Sequence, residues 1–173
     1  LLVSRAVGLN PSHPAYHSNL GNILRDAGEH EAAEAAYKCA LKLAPGFVDA
    51  LNNLAVLYLR RRSHQKALNL LRQAIKLNPR FADAHNNLGS ALLGLGQPKE
   101  AIKVFKMALW INTQHQDAQY NLGTLYENGE GVGKSLSQAL KWYRLAAEQQ
   151  DAPAQYALGT LYRDGLGVKK NAK

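Results

Sequence analysis

The sequence predicts an all-α fold, a right-handed superhelical solenoid of antiparallel helix hairpins. Three observations predict it: a tripeptide that returns every 34 residues, apolar side chains at helical spacing within each period, and glycine or proline where the apolar stripes end. A strict period of this length is typical of stacked supersecondary units and not of one globular core. The tripeptide, Asn-Leu-Gly or Asn-Leu-Ala, begins at Asn19, Asn53, Asn87 and Asn121.

The first complete period, residues 15–46, predicts two helices joined by a tight turn. Leu20 and Leu24 lie on one apolar stripe at helical spacing, and Gly28 ends that helix. A second helix follows and ends at Pro45. Its apolar stripe consists of Ala32, Ala33, Ala36, Tyr37 and Ala40.

Small residues recur at the phases where helices must approach closely. One phase lies on the first helix of each hairpin, at Gly21, Ala55, Gly89 and Gly123. Two phases lie on the second helix, at Ala33, Ala67 and Ala101 and at Ala40, Ala74 and Ala108. Larger side chains there are expected to overpack the contacts between helices.

These positions resemble the tetratricopeptide repeat (TPR) family, whose unit of 34 residues carries a large residue, Leu-Gly, an aromatic residue, Ala, Phe, Ala and Pro. The resemblance covers residues 1–126 and implies that the first helix of each hairpin lines a concave groove. The sequence departs from the pattern at the large first position, where His17, Leu51 and His85 replace the usual tryptophan. Thr113 replaces the expected proline, so the preceding helix lacks its stop signal.

The last third of the chain changes period. Residues 118–126 return as residues 154–162, which is 36 residues later, and a Gly-x-Gly-Val loop follows each copy, at Gly129 and Gly165. A Trp-Tyr pair at Trp142 and an Ala-Ala pair stand between the copies. These elements resemble the Sel-one-like repeat family, a relative of the TPR family with a longer loop inside each hairpin.

We therefore expect TPR repeats over residues 1–115, the first one partial, and Sel-one-like repeats over residues 116–173, the last one partial, in one continuous solenoid. The arrangement predicts about ten helices: an unpaired opening helix, four hairpins and an unpaired closing helix. The hairpin over residues 117–149 should stack on the preceding one without a break near residue 115. Because the chain starts and stops inside repeats and lacks an initial Met, we expect it to be a piece of a longer protein.

Composition limits the functional classes. The 46% of hydrophobic and 20% of charged residues suit a folded chain, and no apolar run is long enough for a transmembrane helix. Cys39 is the single cysteine, which excludes an internal disulfide and is compatible with a reducing compartment, so we expect a cytoplasmic location. We expect Cys39 to be buried on its alanine-rich helix.

No catalytic, metal or cofactor site is predicted, and we expect no enzyme activity. The segment from Gly129 to Ser135 has three residues between its outer glycines where a phosphate-binding loop has four, and tight turns explain its glycines. His13 and His17 have the spacing of metal ligands on a helix. However, His13 precedes Pro14, a typical first residue of a helix, so it should lie outside that helix.

The asparagines carry the main functional hypothesis. Each precedes a packing leucine and should point about 100° away from it, toward the groove. We expect the four amides to be free of strong intramolecular bonds. Since asparagine is poorly suited to a helix interior, the repetition needs a reason. One interpretation is a structural bond to the backbone of a neighbouring repeat. The other is a ladder that holds an extended peptide, because a carboxamide both donates and accepts. The row resembles the asparagine ladder in the TPR superhelix of O-linked N-acetylglucosamine transferases, and should end at Ala157.

Two further rows share a phase. An acidic row lies four residues before the asparagines, where it could stabilise helix N-termini or contact a peptide. A basic row lies on the second helices. It is interpreted either as a solvated convex face with cations toward the helix C-termini or as a site for an acidic partner or RNA. The acidic row is Asp49, Asp83 and Asp117, and the basic row is Lys38, Arg72, Lys106 and Arg144.

The sequence thus favours a protein–protein interaction scaffold that binds an extended or helical peptide segment of a partner in its groove. The alternative is a substrate-recruiting arm of a larger enzyme such as a glycosyltransferase. RNA binding is disfavoured because stacking aromatics are not interleaved with the cations. No membrane partner is expected, and the oligomeric state is not predicted. The predicted peptide-binding residues are Asn19, Asn22, Asn53, Asn87, Asn121, Asp49, Asp83 and Asp117.

Overall fold

The computed structural model of the chain describes residues 11–166, and all regular structure in that range is helical. Each helix is short, with 12 to 14 residues. The nine described helices are α1 Pro14–Asp26, α2 His30–Leu43, α3 Val48–Arg60, α4 His64–Leu77, α5 Ala82–Gly94, α6 Pro98–Ile111, α7 Gln116–Asn128, α8 Leu136–Ala147 and α9 Ala152–Arg163. The predicted all-α repeat fold is confirmed, and the predicted opening helix lies outside the described residues.

The chain divides into two compact units, Leu1–Leu95 and Gly96–Lys173. The first contains α1 to α5 and the second contains α6 to α9. Helices α1 and α2, α3 and α4, and α7 and α8 pack as antiparallel hairpins, and α9 packs on α8. Helices α5 and α6, which the repeat pattern assigns to one hairpin, belong to different units.

In the first unit, the first helices of successive repeats lie side by side. Helix α1 contacts α3, and α3 contacts α5, whereas the second helices α2 and α4 do not reach the same degree of contact. Each second helix packs on the next first helix instead. The first helices α1, α3 and α5 therefore lie closer to one another than the second helices do.

Glycine on a first helix lets an aromatic ring of the second helix lie against the backbone. A Cβ atom added to Gly21 would lie 2.5 Å from Cε1 of Tyr37, and one added to Gly123 would lie 2.5 Å from Cε1 of Tyr143. Real Cβ atoms do not approach a ring so closely, so both positions require glycine. The close helix contact that the sequence predicts at this phase is confirmed in both units.

Helix α6 ends at Ile111 although Thr113 replaces the proline of the repeat pattern. Asn112 leaves the helical conformation, and its Oδ1 accepts a hydrogen bond from the backbone N–H of Gln114 at 3.0 Å. Asn78 makes the same bond to the N–H of Arg80 at 3.2 Å. A side-chain turn of this kind ends a helix without proline, because the asparagine offers the backbone a competing partner.

The long loop between α7 and α8 packs inside the second unit. Gly129 and Gly131 adopt positive φ angles of 74° and 70°, which glycine tolerates best. A Cβ atom on Gly131 would lie 2.7 Å from the carbonyl carbon of Pro98, at the beginning of α6. The loop follows a helix, and its last residue, Ser135, caps α8. The turn interpretation of these glycines is confirmed, and the loop lacks the strand that precedes a phosphate-binding loop.

Candidate peptide-binding surface

The surface formed by the first helices is the site that the sequence predicts, and we call it the first-helix surface. In the first unit it consists of α1, α3 and α5, and in the second unit of α7 and α9.

The asparagine row of the first unit is more exposed than the leucines beside it. Asn19 is exposed, and Asn53 and Asn87 are half-buried. The leucines that follow the last two are 3% and 8% exposed, at Leu54 and Leu88. In the second unit Asn121 on α7 is half-buried as well, next to the fully buried Leu122. The asparagines are therefore more exposed than the leucines that follow them, whereas their direction toward a groove and their peptide contacts stay predictions.

The prediction that these amides make no strong intramolecular bond is wrong at Asn87. Its Nδ2 donates a hydrogen bond to Oδ1 of Asn52 at 2.9 Å, from α5 to α3. Asn121 also has an intramolecular partner. The reason is a second row of asparagines, each one residue before a member of the first row. Asn52 and Asn86, which are 7% and 5% exposed, form this inner polar row, and Asn52 lies within reach of Asn87 on the next first helix.

The Asn52–Asn87 bond leaves part of the outer amide available. A carboxamide has two N–H donors and one acceptor oxygen with two lone pairs, and this bond uses one N–H of Asn87. The second N–H and Oδ1 remain for a ligand. Because the bond joins successive first helices, it also fixes the orientation of the Asn87 amide. The structural and the ligand-binding interpretations are therefore compatible at this residue.

Asn22 has a partner inside its own hairpin. The hydroxyl of Tyr37 donates to Oδ1 of Asn22 at 2.8 Å. Burial raises the pKa of the Tyr37 phenol above its ordinary value, so the hydroxyl keeps the proton that this bond needs. The bond connects α2 to α1 through Oδ1 of Asn22. The two N–H donors on Nδ2 are the part of Asn22 that a ligand can contact.

The acidic row lies at the beginnings of the first helices. Asp49, Asp83 and Asp117 are all exposed and stand in the first turns of α3, α5 and α7. Carboxylates in a first turn interact favourably with the positive end of the helix dipole. This explains their position fully, and a role in peptide contact stays a prediction.

The basic row is exposed on the second helices. Lys38 pairs with Glu34 at 2.7 Å, and Arg61, the residue that follows α3, reaches the same carboxylate at 2.6 Å. The hydrogen bond from Lys38 holds the pKa of Glu34 below its ordinary value. At the other end of the row, Arg144 donates to the hydroxyl of Tyr162 at 2.7 Å. Part of the row thus serves contacts between helices.

Three residues that the sequence made candidates, Cys39, His13 and His17, lie on or beside α1 and α2. Cys39 is exposed, which corrects the expectation of a buried cysteine, because the buried stripe of α2 runs through Ala36, Tyr37 and Ala40 instead. His13 is the residue before α1 and lies outside the helix, as predicted. The ring of His17 bonds to the carbonyl oxygen of Pro11 at 2.7 Å, which gives it a structural role.

Sequence reasoning missed a polar bond that this histidine shares with other repeats. A side chain at the large first position of the repeat donates to the carbonyl oxygen six residues earlier. The pairs are His17 with Pro11, His85 with Pro79 and Gln119 with Thr113, at 2.7, 2.9 and 2.8 Å. Where Leu51 occupies the position, Gln73 of α4 donates to the carbonyl of Pro45 at 3.3 Å instead. The sequence contained a signal for this bond, because polar side chains replace the usual tryptophan at the large first position.

Family comparisons agree with the two repeat classes. Two tetratricopeptide repeat models match residues 14–80 and residues 52–114, and together they cover more than half of the chain. The chain belongs to the tetratricopeptide repeat family. A Sel1 repeat model matches residues 116–151 and 152–173, so the C-terminal part consists of Sel1 repeats. No curated protein sequence matches the chain.

Solved structures of the same fold are similar to this TPR and Sel1 repeat protein. MamA is 25% identical with a TM-score of 0.69, over 89% of this chain and 88% of that one. YrrB, described as a TPR protein with an unusual peptide-binding site, is 25% identical with a TM-score of 0.68, over 97% and 86%. The uropathogenic Escherichia coli protective antigen c5321, of SLR fold, is 28% identical with a TM-score of 0.74, over 98% of this chain and 37% of that one.

The chain therefore has an all-α repeat solenoid fold, which typically serves protein–protein interaction. Repeats of these families are generally non-catalytic interaction modules. Within residues 11–166, no helix has the length and apolar character needed to cross a bilayer.

Proposed function

We propose that this repeat protein is an interaction module that holds an extended peptide segment of a partner protein along its first-helix surface. The observation that carries the proposal is the two-layered amide row of the first unit. Asn53 and Asn87 stand half-buried on adjacent helices, and the inner Asn52 holds the amide of Asn87 in place. An amide held in this way loses little freedom when a ligand binds, which favours affinity.

The chemistry of the row suits the backbone of a peptide. Every peptide unit has one N–H donor and one carbonyl acceptor, and a carboxamide matches both. Such contacts are made to the peptide backbone and not to its side chains. The row would therefore hold extended peptides of many different sequences. YrrB, which is similar in fold and is described as having a peptide-binding site, supports a peptide as the ligand.

The test selects a ligand and locates it. A peptide is selected from a random displayed library against the full 173-residue chain. Backbone amide shifts of the isotope-labelled chain are then followed by NMR as the peptide is added. We expect saturable shifts around Asn19, Asn53 and Asn87, and none around Lys38 and Arg72 on the second helices.

A scrambled peptide of the same composition is the control for charge and hydrophobicity. Shifts confined to the second helices would place the ligand on the opposite face and overturn the proposal. The same holds if no selected peptide binds the chain in solution.

A further inference from the structure

The second unit contains a cavity of about 420 Å³ that the asparagine hypothesis does not use. Tyr120, Thr124 and Glu127 of α7 line one side, and Tyr156 and Thr160 of α9 line the other. Tyr143 of α8, only 1% exposed, also lines it. Because α8 packs against both α7 and α9, the cavity lies between two first helices. Its size is within the range of ordinary ligand pockets, ~300–1,000 Å³.

One carboxylate gives the cavity its charge. The hydroxyl of Tyr143 donates to Oε2 of Glu127 at 2.6 Å, and also contacts Oγ1 of Thr124 at 3.1 Å. Tyr143 thus fixes the Glu127 carboxylate through Oε2, which leaves Oε1 for a ligand. Burial, followed by the bond to Glu127, raises the pKa of the Tyr143 phenol far above its ordinary value, so the phenol remains a donor.

Three tyrosine rings form much of the remaining wall, next to Pro153 and Ala157. Tyr156 is 78% exposed and stands on α9, a helix on which Ala154 and Leu161 are the buried residues. The ring of Tyr120 lies 5.6 Å from that of Tyr143. Aromatic faces attract cations through their quadrupole, and a carboxylate at the same site adds a full opposite charge.

In the second unit, acidic residues stand on α7 and most basic residues stand on other elements. This distribution favours a cationic ligand at the cavity. Helix α7 carries Asp117 and Glu127 and no basic residue, and the single charge on α9, Arg163, pairs with Asp164 at 2.9 Å. Lys134 lies in the loop between α7 and α8, and the other basic residues described in this unit stand on the second helices α6 and α8. They are Lys99, Lys103, Lys106, Lys141 and Arg144. The net charge of +8 therefore does not describe the surface around the cavity.

We propose that the cavity between α7 and α9 binds an arginine side chain of a partner peptide, with Glu127 as its counter-charge and the rings of Tyr120 and Tyr156 as its walls. A planar guanidinium pairs with a carboxylate and stacks on an aromatic face at the same time, which the compact ammonium of lysine does less well. The inference deepens the proposed function and rests on it for the peptide nature of the ligand.

The test uses a matched pair of short peptides with the isotope-labelled full chain. One probe is acetyl-Gly-Gly-Arg-Gly-Gly-amide, and the other has citrulline, a neutral isostere, in place of arginine. We expect saturable NMR shifts at Thr124, Glu127, Tyr156 and Thr160 with the arginine peptide, and binding about tenfold weaker with citrulline.

Two variants and one control locate the contact. Glu127→Gln keeps an acceptor for Tyr143 but removes the charge, and should weaken the arginine peptide about tenfold. Tyr156→Leu replaces an exposed side chain that the fold does not need, and should weaken it about threefold. Glu130→Gln removes an exposed charge of the neighbouring loop and should leave affinity unchanged. Equal binding of both peptides, shifts outside the cavity, or variants that bind like the parent would overturn the inference.

The outcome is separable from that of the proposed function. If the arginine peptide fails here while a selected peptide still shifts Asn53 and Asn87, only the cavity inference fails. If the arginine peptide binds here while no selected peptide reaches the asparagines, the asparagine proposal fails and the cavity inference stands.

Discussion

Single small residues set the distances between helices in this protein. Ala33, Ala40, Ala67 and Ala74 of the first unit are fully buried, and Gly21 has the ring of Tyr37 against its backbone. These positions could be predicted from the sequence, because a repeat shows the same small residue at the same phase several times. Each packed contact then tolerates no added methylene group without strain.

Overpacking tests these contacts. Ala67→Leu in the first unit and Ala101→Leu in the second should each cost roughly 1–3 kcal/mol of unfolding free energy, because both alanines are fully buried. Urea unfolding measures the loss as a lowered midpoint. Ala35→Leu is the matched control, since Ala35 is an exposed alanine of a second helix. An unchanged midpoint for Ala67→Leu would mean that this position is not at the contact.

The inner amide row shows where sequence reasoning stopped at the residue scale. The outer asparagines are evident from the period, and the pairs Asn52-Asn53 and Asn86-Asn87 are visible in the sequence. Whether two carboxamides on different helices meet depends on the rotation and spacing of those helices. The sequence period does not determine the rotation and spacing of the helices precisely enough to predict a hydrogen bond of 2.9 Å. The free-amide expectation therefore failed at Asn87.

At the scale of elements, helix ends are defined by bonds that replace residues of the repeat pattern. Asn78 and Asn112 end α4 and α6 with similar backbone angles, φ −133° in both, and the same side-chain bond to the second residue that follows. Pro79 follows one and Thr113 follows the other. The end of α6 was the weak point of the sequence prediction, because proline was the only stop signal considered for the second helices.

This similarity predicts that Thr113→Pro stabilises the second unit. Asn112 already has the extended conformation that a following proline favours. The Thr113 carbonyl, which accepts from Gln119 at 2.8 Å, is kept in proline. Loss of freedom in the unfolded chain should then add about 0.4–1 kcal/mol, seen as a raised unfolding midpoint.

Gln114→Pro is the matched control for that substitution. The backbone N–H of Gln114 donates to Asn112 Oδ1, and proline would remove this donor. It should therefore lower the midpoint. A lowered midpoint for Thr113→Pro as well would show that the turns after α4 and α6 are not equivalent.

At the scale of the whole molecule, two repeat classes share one chain. The sequence predicted both classes and the helical fold, because periods of 34 and 36 residues repeat local signals that need no knowledge of long-range contacts. It did not predict the division into units after Leu95, which lies inside a predicted hairpin. Helices α6 and α7 contact each other, so no linker separates the two classes near residue 115. Their union in one continuous solenoid stays a prediction.

The central claim is that asparagines of the first-helix surface hold a peptide backbone, and one affinity measurement tests it most directly. Calorimetric titration compares a selected peptide on the parent chain with the Asn53→Ala, Asn87→Ala double variant. Two lost amide contacts, at roughly 0.5–1.5 kcal/mol per hydrogen bond, predict binding about tenfold weaker or more. Arg72→Ala, an exposed change on a second helix, should leave affinity nearly unchanged. A folded double variant that binds as tightly as the parent would contradict the account.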